Sequence, residues 1–155
     1  KGILSAEDAR LAVASGADAL VVSNHGGRQL DGAPSSIAAL PDIVAAVGDD
    51  IEIWLDGGIR SGQDVFKALA LGATGTLIGR AYIYGLGAMG EAGVSRTLEL
   101  IANELDLTMA FCGLSSVADI DHHALWPADR PEVSRISDQS GQLPAAGRGE
   151  TYGSE

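Results

Sequence analysis

Val22-Ser23-Asn24-His25-Gly26-Gly27-Arg28-Gln29-Leu30-Asp31-Gly32-Ala33 is the stretch of this 155-residue chain that says most about it. An apolar strand beginning at Ala19 runs into a histidine and, three residues later, an arginine, with two glycines between them. Glycine accepts backbone angles that other residues reject and lets a ligand approach closely. A base and a permanent cation therefore share one strand-end loop and can face the same small anion. Arg28 can grip a carboxylate in a bidentate fork, and His25 can take a proton near neutral pH. The plainer alternatives are a turn histidine and an arginine paired with Asp31. Asn24, Gln29 and Asp31 read as residues that shape the loop.

Working outward, the chain alternates strands and helices. Ser5-Ala6-Glu7-Asp8 carries a cap residue followed three positions later by an acid, a helix-start signal. Ala9, Ala12 and Val13 give that helix an apolar stripe, and Gly16 closes it. A strand is predicted from Ala19 to Ser23 and a helix from Ile37 to Val47, with Pro41 marking a kink or a second start. Ile51 to Leu55 is a second strand, followed by the loop Asp56-Gly57-Gly58-Ile59-Arg60. Ser61 to Asp64 caps a third helix through Leu71, and Gly75 to Ile78 is a third strand before Gly79-Arg80. Such alternation indicates an α/β fold with a parallel sheet. Beyond it, Val94, Leu98, Ile101 and Leu105 mark a long amphipathic helix to about Phe111, and Ser116 to Ile120 starts a short one. Cys112 and Trp54 read as packing residues. From Trp126 onward periodicity gives way to Pro, Gly, Ser and charge, so 126–155 is expected to be a flexible, largely disordered tail and 1–125 the folded part.

Bulk properties narrow the function. A hydrophobic fraction of 46% and a charged fraction of 20% suit a globular protein. No apolar run approaches the roughly 20 residues needed to span a bilayer. The start, Lys1-Gly2-Ile3-Leu4, lacks the ordered regions of a signal peptide. A single cysteine fits a reducing compartment. A formal net charge of −11 argues against a nucleic-acid partner, which needs clustered Lys and Arg. A cytoplasmic location is expected.

The three loops after the strands leave one edge of the sheet. Glycine N–H groups and arginines in Asp56-Gly57-Gly58-Ile59-Arg60 and Gly79-Arg80 suit a phosphate; alternatively they make tight turns with solvated arginines. His122 and His123 lack helical i, i+4 spacing and a thiolate partner, and read as a solvated helix end rather than metal ligands.

Ser23-Asn24-His25-Gly26-Gly27-Arg28, the two glycine–arginine loops and Lys1-Gly2-Ile3-Leu4-Ser5-Ala6-Glu7-Asp8-Ala9 together resemble the FMN-dependent α-hydroxy acid dehydrogenase/oxidase family. That family includes glycolate oxidase, L-lactate dehydrogenase and mandelate dehydrogenase. The resemblance covers Lys1 to about Leu125. It implies the C-terminal half of a TIM (β/α)8 barrel, strands six to eight with their helices, since a whole barrel takes about 250 residues. Lys1 would end strand five, and the chain would be a fragment whose partner is the missing N-terminal half, through which any membrane association would come. It also implies FMN as cofactor, a small 2-hydroxy acid as substrate and a homo-oligomer when complete. In the family, His25 is the base and Arg28 binds the substrate carboxylate. Lys1 sits at flavin N1 and O2, and Asp56 holds the ribityl chain. Gly57, Gly58, Arg60, Gly79 and Arg80 belong to the two phosphate loops. Ser23 hydrogen-bonds the flavin or its ribityl chain, or else caps a turn. Gly79-Arg80-Ala81 lacks the proline that follows this arginine in plant glycolate oxidases. Other readings are a different phosphate-gripping flavin barrel, which would lack the His25–Arg28 motif, and an inactive or partner-binding remnant.

Overall fold

Ser5 opens the first helix. Its hydroxyl accepts the Asp8 N–H at 3.1 Å and donates to the Asp8 carboxylate at 3.0 Å, satisfying a donor that a helix start leaves unpaired. The structure, a computed structural model, describes residues 1–126. The principal elements are α1 (Ala6–Ala14), β1 (Ala19–Ser23), α2 (Ser36–Val47), β2 (Glu52–Asp56), α3 (Gly62–Ala70), β3 (Gly75–Leu77) and α4 (Arg80–Phe111). The start of α3 carries a complete capping box: Ser61 accepts from the Asp64 N–H and the Asp64 carboxylate accepts from the Ser61 N–H. Pro41 lies within α2 without ending it.

The strands form one parallel sheet in the order β1-β2-β3. Ile3 adds a single parallel bridge to Val22, with the Gly2 N–H donating to Val21 O and the Ser23 N–H to Ile3 O. The opening residues thus lie along the free edge of β1. This is an α/β fold with parallel strands. Ile51 and Ile78, expected in the strands, fall one residue outside β2 and β3.

Side chains alternate across a strand with period two. Leu20 and Val22 of β1 and Ile53 and Leu55 of β2 are buried with Ala9, Leu40, Ile43, Val47 and Ala68 of the helices, and form the main core. Full burial of a side chain such as Leu40 or Ile43 contributes about 1.5–3 kcal/mol. The opposite sheet face carries Val21, Trp54 and Leu77 and is only half-covered or exposed. There the Trp54 ring lies over Gly75, its partner in register; a Cβ on Gly75 would meet the ring at 2.6 Å. Phe66 and Ala70 of α3 bury with Met109 and Ile120 in a second cluster.

The helix expected to run to about Phe111 is present, but α4 begins earlier, at Arg80, and is kinked before that stretch. Met89 and Gly90 leave helical angles, Gly90 at φ 62° and ψ −141°, a region open essentially to glycine. The two halves of α4 fold back on each other at Gly85 and Gly93, where a Cβ on either would strike the other's carbonyl. Glycine at both positions is what allows the backbones so close. Ser116 to Ile120 makes a 3-10 turn, Val117–Asp119, rather than an α-helix, and a second turn spans His122–Ala124. Cys112, expected in the core, is the exposed residue that ends α4. Residues 1–125 form one compact unit; the expected flexible tail, beyond Trp126, lies outside the described residues.

Candidate active site

Ser23 and Asp56 are partners in register at the C-terminal ends of β1 and β2, so the loops that follow them start side by side. Ser23 is buried, and its hydroxyl organises the site. It donates to Asp56 Oδ2 at 2.7 Å, and accepts from Lys1 Nζ at 3.0 Å and from the His25 N–H at 3.1 Å. Of the two roles read for Ser23 in the sequence the turn cap is present, and the same hydroxyl also joins Lys1 and Asp56 in a polar cluster. Lys1 Nζ also pairs directly with Asp56 Oδ2 at 2.6 Å. Burial pushes the Asp56 carboxyl up, but the hydrogen bonds from Lys1 and Ser23, with the charges of Lys1 and His25, outweigh it and hold the group below the ordinary carboxylate range.

The loop after β1 turns through three left-handed residues. His25 stands at φ 56°, and Gly26 and Gly27 both at φ 70°. Histidine tolerates this region better than most side chains, but still at a cost. Two bonds hold the turn: His25 N–H to Ser23 Oγ, and Gly26 N–H to Asn24 Oδ1 at 3.0 Å. Asn24 also donates through Nδ2 to Pro34 O at 3.1 Å, so it ties both ends of the loop together. The Cε1–Nδ1 edge of His25 lies against Gly2, where a Cβ would be 3.4 Å from Cε1. Glycine suits that position because its φ is 103°. Arg28 is exposed, and its Nε reaches His25 O at 3.5 Å. Among the described residues it pairs with no carboxylate, so the Asp31 pairing is not realised.

The other two loops leave the same edge, because Asp56 pairs in register with Leu77. Gly57 and Gly58 both have positive φ, 103° and 82°. A Cβ on Gly57 would press on Ser36 Oγ at 3.1 Å, whereas one on Gly58 or Gly79 would meet nothing within 4 Å. Space for a ligand therefore opens at Gly58 and Gly79. A cavity of about 230 Å³ beside the second loop is lined by Gly57, Gly58, Ile59, Asp64 and Lys67 with the apolar Ile37 and Leu55. Gly79 precedes α4 with no side-chain cap, leaving the first N–H groups of that helix available to an anion. The exposed Arg60 and Arg80 are also free of carboxylate partners among the described residues. Two cations, an uncapped helix start and uncrowded glycines fit a phosphate group, and Lys1, Ser23 and Asp56 place donors and an acceptor at the neighbouring strand ends.

Sequence reading missed Ser36 and the second role of Asp64. Ser36 is buried and accepts the Asn24 N–H at 3.3 Å. Asp64 accepts not only from Ser61 but also from the Arg60 N–H at 3.0 Å, fixing the second loop. The capping-box spacing signalled Asp64; nothing local signalled Ser36.

The sequence model of the FMN-dependent dehydrogenase family matches residues 1–127. Glycolate oxidase 1 of Oryza sativa subsp. indica is 54% identical over 131 residues, covering 84% of this chain and 36% of that protein. L-lactate dehydrogenase of Caulobacter vibrioides (strain NA1000 / CB15N) is 57% identical over 125 residues, covering 81% and 33%. Among solved structures, a mandelate oxidase variant with the monooxide FMN adduct superposes with a TM-score of 0.73 at 55% identity, covering 76% of this chain and 37% of that one. The chain spans about a third of the length of the curated relatives it matches. Matched by the family's sequence model over most of its length, the chain belongs to the FMN-dependent dehydrogenases.

Proposed function

We propose that this chain carries the base, the carboxylate anchor and the phosphate grip of an enzyme that oxidises an L-2-hydroxy acid to the 2-oxo acid with FMN. The reading rests first on His25 and Arg28 sharing one loop whose geometry is imposed by Ser23 and Asn24. The names of the relatives, acting on glycolate, lactate and mandelate, favour the same substrate class. Because this chain covers only about a third of those relatives, the complete site would also draw on chain from the other part of a (β/α)8 barrel, in an oligomer when whole.

In this reading Arg28, which pairs with no carboxylate among the described residues, holds the substrate carboxylate in two parallel hydrogen bonds. That places the carbinol beside His25. Nε2, the nitrogen away from Gly2, takes the hydroxyl proton. Lys1 would hold the edge of the flavin ring that gains negative charge on reduction. Asp56 would hold the ribityl chain with Ser23, and Gly58, Arg60, Gly79 and Arg80 the phosphate. FMN, when bound, supplies the acceptor for the two electrons, which leave the carbinol together with its Cα hydrogen. Another phosphate-gripping flavin barrel would share the two phosphate loops but has no use for a His25–Arg28 pair.

The test is flavin reduction followed by stopped flow in the complete protein, with L-lactate and L-mandelate as substrates. His25→Gln should slow reduction by ~10²–10⁴-fold, the usual loss of a general base, while FMN stays bound. Reduction at the parental rate would show that His25 is not the base.

A further inference from the structure

We infer that Asp121, His122 and His123 form a binding site for a divalent transition-metal ion of the zinc class, separate from the flavin and substrate site. All three side chains are exposed, and one ligand atom from each lies within 4.8 Å of the other two. The two imidazole rings sit 4.0 Å apart, centroid to centroid, inclined by 37°. Ligands sharing one ion at about 2.0–2.2 Å lie roughly 3–4 Å from each other. Closing the remaining gap takes only rotation of exposed side chains.

The backbone that presents them is held in place. Asp121 Oδ1 accepts the His123 N–H at 2.9 Å. The Ala124 N–H donates to Asp121 O and the Leu125 N–H to His122 O, at 3.1 and 3.2 Å. On one side of this turn Ile120 is buried with Phe66 and Ala70, and on the other Ala124 and Leu125 pack on the same cluster. A short turn clamped at both ends thus carries three adjacent ligands, and Asp121 Oδ2 remains for the ion. The donor set is two neutral imidazoles and one carboxylate, which favours zinc, copper or nickel over magnesium or calcium. Three protein ligands leave the rest of the coordination sphere to water, an open site rather than a closed structural one. Sequence spacing did not suggest this, since adjacent histidines match no helical ligand motif; the turn supplies the convergence.

The experiment uses the full 155-residue chain with Cys112→Ser, so that no thiol competes, titrated with zinc chloride by isothermal calorimetry. One ion should bind per chain. His122→Ala and His123→Ala should each weaken binding by roughly tenfold or more. Asp121→Asn should do the same while keeping the turn, because asparagine caps as well as aspartate; an unchanged circular dichroism spectrum checks this. His25→Ala should leave zinc affinity unaltered. Affinity should also fall by roughly tenfold or more in urea sufficient to unfold the chain. The proposal is overturned if zinc fails to saturate at one equivalent, if the three variants bind like the parent, if His25→Ala removes the binding, or if the unfolded chain binds equally well.

Discussion

Ser23→Ala probes the centre of the site with one atom. Ser23 is 1% exposed and makes three hydrogen bonds through a single oxygen. Its bond to the Asp56 carboxylate is charge-assisted, worth about 1.5–3 kcal/mol, and its bond from the His25 N–H about 0.5–1.5 kcal/mol. The Lys1 side chain is 44% exposed and retains its direct pair with Asp56, so that third bond adds little. We expect Ser23→Ala to destabilise the fold by about 2–4 kcal/mol. The pH dependence has a definite sign. A carboxyl whose folded pKa is depressed stabilises the fold above its unfolded value, and that stability is lost as pH falls through the folded value. Without the Ser23 hydroxyl the Asp56 pKa should rise toward its ordinary range. The deficit of the variant should then be full at neutral pH and narrow in acid, below the ordinary carboxylate range. Urea denaturation followed by circular dichroism between pH 2.5 and 7 measures it. In the complete protein the same variant should slow flavin reduction, because the left-handed His25 loses the bond that holds its backbone. A change below about 0.5 kcal/mol, with no pH dependence, would refute the central role given to this hydroxyl.

Asp64→Ala should cost about 1 kcal/mol through the lost cap, and should weaken FMN binding because the Arg60 N–H loses its anchor; denaturation and fluorescence titration report the two effects. Arg80→Ala should weaken FMN but leave riboflavin, which has no phosphate, nearly unaffected; equal losses for both ligands would remove Arg80 from the phosphate site. Gly62→Ala should destabilise by about 1–3 kcal/mol or more, since its Cβ would strike the Ile101–Leu105 backbone of α4, and parting the two segments would stretch the 2.8 Å bond from the residue 62 N–H to the Glu104 carboxylate. A lowered thermal midpoint is the readout.

The strands, the first three helices and both caps at Ser5 and Ser61 were legible because they are local: period-two and helical apolar spacing, and a cap with an acid three residues on, need no distant partner. The three site loops were legible for a related reason. In a parallel sheet every strand points the same way, so residues after strand ends reach one edge whatever the packing. Sequence therefore sufficed to place His25, Arg28, Asp56 and Arg80 on that edge, and their types sufficed to suggest a base, an anchor and an anion grip. Val94, Leu98, Ile101 and Leu105 marked the part of α4 beyond Gly90, whereas the part before it and the reversal were hidden, because the reversal depends on Gly85 meeting Gly93 in space. Cys112 looked like core because its helix is apolar, but whether a position is covered depends on which elements reach it. Ser23 accepting from Lys1 across 22 residues and donating to Asp56 across 33 was likewise closed to local reading. Residue type and period determined the elements and the chemistry on offer; tertiary packing alone decided the partners, because hydrogen bonds and ion pairs depend on distances of about 3 Å that separation along the chain does not encode.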